Sequence, residues 1–206
     1  MRKAIRFLGR SAYKQSSTFS LKHLGYALLL LSLAFPYKDA VLFNNGSGGT
    51  DWRIGKPQVN LWNASSYRAL PELRAFALKL INRDRQINGL PVLVEDPLLS
   101  QSAQRHAEDM KARNYYAHVS PEGKTPTDRL AAIGGEGGVG ENIMLHSGSV
   151  GATAILSWGL IENFQKGWMY SSGHRANLLL PRYTKVGYGI VSDPATGKIY
   201  AVQNFQ

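Results

Sequence analysis

The chain has 206 residues, 44% of them apolar, which is enough for one globular domain and an extension. It contains no cysteine, and this excludes disulfides, cysteine-ligated zinc, a catalytic thiol and a lipid-modified cysteine. The net charge is +10, but residues 1–45 carry seven basic side chains against the lone Asp39, whereas the remainder carries 17 basic and 13 acidic residues. Positive charge concentrated ahead of the domain marks targeting and not a nucleic-acid surface, so no nucleic-acid partner is expected.

In chain order, a basic stretch leads into the uncharged run Leu24–Phe35. Its length suits a signal-peptide core and falls short of the ~20 residues that span a bilayer. Ser32-Leu33-Ala34 offers a cleavage site. Residues 1–36 are therefore read as a signal peptide, with an uncleaved membrane anchor through residues 24–35 as the alternative. Residues 37–66 have no sustained period and contain Asn44-Asn-Gly-Ser-Gly-Gly-Thr50, which is linker chemistry, and 37–70 is read as a linker. The sequons Asn45-Gly-Ser47 and Asn63-Ala-Ser65 fall in the same stretch.

The domain is expected over 71–206. A first helix starts near Pro71, with Leu73, Phe76, Ala77, Leu80 and Ile81 on one face, and ends at Gly89-Leu-Pro91. Asp96-Pro97 caps a second, running to about Arg113 with Leu98, Leu99, Ala103, Ala107 and Met110 inward. Thr125-Pro126 opens a short third helix, and a fourth is expected over about Val150–Trp168. Lys185–Val191 and Lys198–Phe205 read as strands joined by a turn at Asp193–Gly197. Helices that precede the best strands favour an α+β fold or a layered α-β-α arrangement.

Five blocks in this order carry a family resemblance. They are Leu80-Ile-Asn-Arg-Asp-Arg85 with Gly89-Leu-Pro91; Leu98–Met110; Asn114-Tyr-Tyr-Ala-His-Val-Ser-Pro121 through Leu130; Gly140-Glu-Asn-Ile143; and Trp168-Met-Tyr-Ser-Ser-Gly-His-Arg-Ala-Asn-Leu178 with Val186-Gly-Tyr-Gly189. The closing Tyr200–Phe205 looks like the last strand of the same family. Together they resemble a single bacterial domain of the CAP superfamily, which includes cysteine-rich secretory proteins, insect venom antigen 5 and plant pathogenesis-related proteins. The resemblance implies a three-layer α-β-α sandwich and an extracellular or cell-envelope setting.

His118, Glu141 and His174 are far apart in sequence, and no local ligand spacing links them. The resemblance implies that they converge on one cleft. Many family members add a second acid, for which Glu162 is the candidate here. Two imidazoles with carboxylates are a sensible ligand set for zinc or another divalent metal with an open water position. Such binding would weaken below about pH 6.5, where imidazole protonates.

His106 and Glu108, two apart on a helix, point to different faces and are read as structural. His146 is read as a surface residue, and Arg175 and Asn177 as braces of the short helix after Gly173. Tyr115, Tyr116, Tyr170, Tyr183 and Tyr188 flank the blocks and are read either as core or as the floor of a cleft. Gly135-Glu-Gly-Gly-Val-Gly140 fits GxGxxG by letter, but no strand clearly leads into it and no helix starts from it, so it is read as a flexible loop presenting Glu141. Ser147-Gly-Ser149 lacks the nucleophile-elbow pattern. The leading functional expectation is a secreted or envelope-anchored module that binds a lipid, glycan or protein of the envelope or extracellular space. One alternative is a metal-assisted hydrolase with Glu141 or Glu162 as base. The other is a purely structural role for the histidines.

Overall fold

A computed structural model describes residues 42–43, 52–60, 62–147 and 155–206. The Leu24–Phe35 run, its cleavage site and the first sequon lie outside them. Two short strands, β1 (Leu42–Phe43) and β2 (Arg53–Ile54), pair antiparallel. There follow α1 (Leu70–Ile87), β3 (Val94–Glu95), α2 (Pro97–Ala112), α3 (Pro126–Ala131), β4 (Gly140–Ser147), α4 (Trp158–Tyr170), α5 (Ser172–Leu178), β5 (Lys185–Asp193) and β6 (Lys198–Phe205).

Strands β3, β5, β6 and β4 form one sheet in that order, with β3 parallel to β5 and the other pairs antiparallel. Helix α2 covers one face through Ala103, Ala107 and Met110, which meet Ile143, Tyr200 and Val202. Helices α1 and α4 cover the other through Leu73, Leu80, Ile81, Phe164 and Trp168, packed with Tyr188 and Ile190. The result is the expected three-layer α-β-α sandwich. Glycines set the spacing of the α2 layer: a Cβ on Gly187 would stand 2.1 Å from backbone atoms of Leu99 and Ser100, and one on Gly189 would stand 2.3 Å from Gln104 N. Only a strand lacking side chains there lets a helix backbone approach so closely.

Local chemistry explains the helix ends. Pro71 lies in the first turn of α1, where Glu72 accepts from Ala69 N–H. The Asp96 carboxylate caps α2 by accepting from Leu98 and Leu99 N–H. Thr125 and Asp128 bond reciprocally across the start of α3. Ser157 caps α4, which therefore begins at Trp158 and not at the expected Val150. Leu98, expected inward, is exposed.

Two further expectations need correction. Gly140, read as the end of the flexible loop Gly135–Gly140, instead opens an edge strand, Gly140–Ser147, in register with β6 from Gly140↔Phe205 to Ser147↔Lys198. The segment read as linker is partly integral to the domain: Trp52 and Ile54 are buried. Its backbone is held by side chains. Asn88 exchanges two hydrogen bonds with Arg53, Gly55 N–H donates to Asp84 at 2.9 Å, and Arg83 donates to Lys56 O at 2.8 Å. We call residues 52–59 the strap.

Candidate functional site

Side chains alternate along β4, so Glu141 and Asn142 point to opposite faces of the sheet. Glu141 turns toward the α2 layer, where only 2% of its side chain is exposed. Oε1 lies 2.9 Å from His118 Nδ1 and 3.9 Å from the buried His106 Nε2. Oε2 accepts from Arg129 at 2.5 Å. With the Asn204 amide turned so that its oxygen accepts from Ala103 N–H, its nitrogen reaches the same Oε2 at 3.2 Å.

Each partner is held in turn. Arg129, on α3, also donates to the carbonyls of His118 and Lys124 at 2.8 and 3.0 Å, tying the 118–124 loop to the carboxylate. His106 Nε2 donates to Ala117 O at 3.0 Å. Burial holds the His106 pKa below its ordinary value, outweighing the opposite pull of Glu141, so this imidazole is neutral at neutral pH. Tyr115 donates to Asp109 at 2.5 Å, and its hydroxyl is pushed up to about 12 by burial and by that carboxylate.

Asn142, on the other face, organises the segment that carries His174. Its Nδ2 donates to His174 O at 3.1 Å and to Gln203 Oε1 at 3.2 Å, and its Oδ1 accepts from Asn177 at 3.0 Å. Asn177 also donates to Glu141 O at 3.1 Å. His174 Nδ1 shares a hydrogen bond of 2.8 Å with Ser171 Oγ. Burial lowers the His174 pKa, and a protonated His118 would lower it further. The outward edge of β4 is closed at Ile143 O, which accepts from Trp168 Nε1 and Tyr116 Oη.

The geometry fixes what these groups can do. A carboxylate accepts, so a neutral His118 ring would carry its proton on Nδ1 toward Glu141, and Nε2 of this half-exposed ring has no hydrogen-bond partner among the described residues. Glu141 thus orients an imidazole from behind, as a second-layer carboxylate does. Both of its oxygens are committed.

Glu162 is not part of this arrangement. It was expected beside His118 and His174, but its Oε1 and Oε2 accept from Gln58 and Val59 N–H at 2.7 and 3.0 Å, and Oε1 pairs with Arg83 at 3.1 Å. The physical reason is its helix face, which turns toward α1 and the strap. Among the described residues no group of three or more His, Cys, Asp and Glu side chains is placed to hold a metal ion. The four residues His118, Glu141, His174 and Glu162 therefore do not come together as one set, since Glu162 lies with the strap, and no chemical step is derived through a metal.

Other readings resolve individually. His146 is exposed and lies beside the Phe164 ring. Tyr188 is buried with its hydroxyl unpartnered, and Tyr183 stacks on Phe205, so both serve the core. Arg129, Ser171, Asn142 and Asn204 were not singled out from the sequence. All four lie inside the quoted blocks or the closing strand, Arg129 as the one cation of the Thr125-Pro126 helix.

An α-β-α sandwich with a Gly-Glu-Asn edge strand facing two histidine-bearing segments defines a CAP-type domain. The chain belongs to that family: residues 78–205 match the family described as CAP: Cysteine-rich secretory protein family. It is 35% identical over 127 residues to YkwD of Bacillus subtilis (strain 168), covering 61% of this chain and 44% of the relative. It is also 35% identical over 133 residues to the membrane protein YlbC of the same strain, covering 62% and 32%. The chain thus spans less than half the length of these curated relatives. Among solved structures, an extracellular protein containing an SCP domain from Bacillus anthracis str. Ames shares 32% identity with a TM-score of 0.53, over 66% of this chain and 40% of that one. An outer surface protein of Borrelia burgdorferi shares the fold at 17% identity and TM-score 0.53, over 69% and 98%.

Proposed function

We propose that this chain is an exported CAP-domain protein that binds a polar ligand of the cell envelope or extracellular space between His118 and His174. One observation carries the reading. A buried carboxylate, held by Arg129, orients a half-exposed imidazole whose other nitrogen makes no hydrogen bond among the described residues. Buried charge of this kind is expensive for the fold unless it is fully paired, and its placement behind an exposed ring favours a recognition role. Export is supported by the apolar run 24–35, which would serve as a signal or an anchor. It is also supported by relatives described as extracellular, outer-surface or membrane proteins. No helix among the described residues is long and apolar enough to cross a membrane.

A hydrolase that uses Glu141 or Glu162 as base is disfavoured, because the oxygens of both are already engaged. The ligand class is a glycan, a lipid headgroup or a protein segment. The test is an NMR titration of the histidine ring signals with solubilised wall glycan, with phospholipid vesicles and with envelope protein extract. One of these should shift His118 and His174 together and lose its effect on the His118→Ala/His174→Ala variant. If all three leave both rings unmoved, or the double variant binds equally well, the proposal fails and the histidines are structural.

A further inference from the structure

The strap reaches the segment that carries His174 through a single aromatic side chain. Trp52 is 5% exposed. Its ring meets Tyr170 edge-on at 5.4 Å, and the Arg175 guanidinium lies 4.3 Å from its centroid. These two contacts bracket that segment. Tyr170 precedes Ser171, whose hydroxyl holds His174 Nδ1. Arg175 follows His174 and donates to Met169 O at 2.8 Å. Helix α5, which carries His174, has seven residues, too few to hold its shape without packing against something else.

A second line of contacts runs between the same places. Asp84, which accepts from strap Gly55, also accepts from Gln165 at 2.8 Å. Gln165 Oε1 accepts from Gln203, Gln203 Oε1 from Asn142, and Asn142 donates to His174 O. Asp84, Gln165, Gln203 and Asn142 are all buried, and a buried amide chain keeps its hydrogen bonds only if every member stays in place. The first wall is supported mostly elsewhere. His118, Glu141 and Arg129 are held by α2, α3 and β6, with one backbone link to α5 from Asn177 to Glu141 O, and among the described residues none of their hydrogen bonds involves the strap.

We propose that residues 52–59 form one support of the His174 wall and that Trp52 is the positioning residue through which they act. The two walls of the cleft then answer to different parts of the chain. Detachment of the strap loosens His174 and leaves the His118–Glu141–Arg129 wall standing. Any force or cleavage applied to the chain just ahead of the domain is thereby felt at one side of the ligand site. The inference rests on the proposed function only in counting His174 as a cleft residue, and its test uses no ligand, so the two can fail independently.

The experiment is histidine ring NMR on the full chain at a fixed pH of 8, comparing wild type, Trp52→Ala and Trp52→Phe. The expected result is displacement or broadening of the His174 ring signals in Trp52→Ala, with His118 and His106 unchanged, and recovery toward wild type in Trp52→Phe, which keeps an aromatic ring for Tyr170 and Arg175. Glu162→Ala, which frees the far end of the strap at Gln58 and Val59, should move His174 in the same direction even if Trp52→Ala does not fold. A folded Trp52→Ala or Glu162→Ala protein with unmoved His174 signals overturns the inference. So does equal displacement of His118 and His174.

Discussion

His118 Nδ1 and Glu141 Oε1 stand 2.9 Å apart, with the carboxylate buried and the imidazole half exposed. The pair joins a loop to an edge strand, and Arg129 closes it from the other side. Glu141→Gln keeps the shape but leaves the Arg129 charge without its counterpart. Breaking a buried pair from one side costs about 3–5 kcal/mol. Urea unfolding of the variant should show a loss of that size, and a loss below about 1 kcal/mol would mean that the pair behaves as a solvated surface contact.

The pH dependence of stability follows from the two depressed histidines. His106 is lowered by burial against the opposing pull of Glu141 and Asp109, and His174 by burial and by His118. A folded pKa below the unfolded value means that the unfolded chain takes up the proton first. Their contribution is intact above the unfolded value of about 6.5 and is lost as pH falls toward and through the folded values. Urea midpoints should decline between about pH 7 and about pH 5, and His106→Gln should flatten that decline. An unchanged slope in His106→Gln would assign the acid sensitivity to other groups.

Close approach of α2 to β5 makes a steric prediction. Gly187→Ala sets a methyl 2.1 Å from helix backbone that cannot rotate away. Overpacking of this kind costs about 1–3 kcal/mol or more, and the rigid neighbour places Gly187→Ala at the upper end. Gly173→Ala, with nothing within 4 Å of the new methyl, should be neutral or slightly stabilising. Thermal melts of the two variants should therefore diverge, and equal melting temperatures would contradict the α2–β5 spacing.

Glu162 offers a stability test of the strap. Glu162→Gln weakens the capture of Gln58 and Val59 and the pair with Arg83, at a cost of about 1–3 kcal/mol. Urea unfolding should show a loss of that size, and an unchanged midpoint would mean that this carboxylate does not hold the strap.

These outcomes bear on what could be read from the residues alone. The helix starts at Pro71, Asp96 and Thr125, the β5–β6 hairpin and the sandwich were legible, because capping, period and motif order are local signals. His118, Glu141 and His174 were brought together by the resemblance and by no spacing of their own. The β4 strand was hidden by the glycine run that leads into Gly140. The strap was taken for a linker because it docks through backbone hydrogen bonds to Asn88, Asp84 and Glu162, which leave no hydrophobic period behind. Glu162 was misplaced for the same reason, since the backbone groups it serves lie about 100 residues away along the chain.

The central claim is that Glu141 orients His118 from behind and leaves the outer nitrogen free. Long-range ¹H–¹⁵N correlation on histidine-labelled protein at pH 8 reads this directly. The account predicts His118 in the Nδ1–H form with an unprotonated Nε2, and loss of that preference in Glu141→Ala. A His118 ring protonated on Nε2, or one averaging freely between tautomers in the wild type, would contradict it.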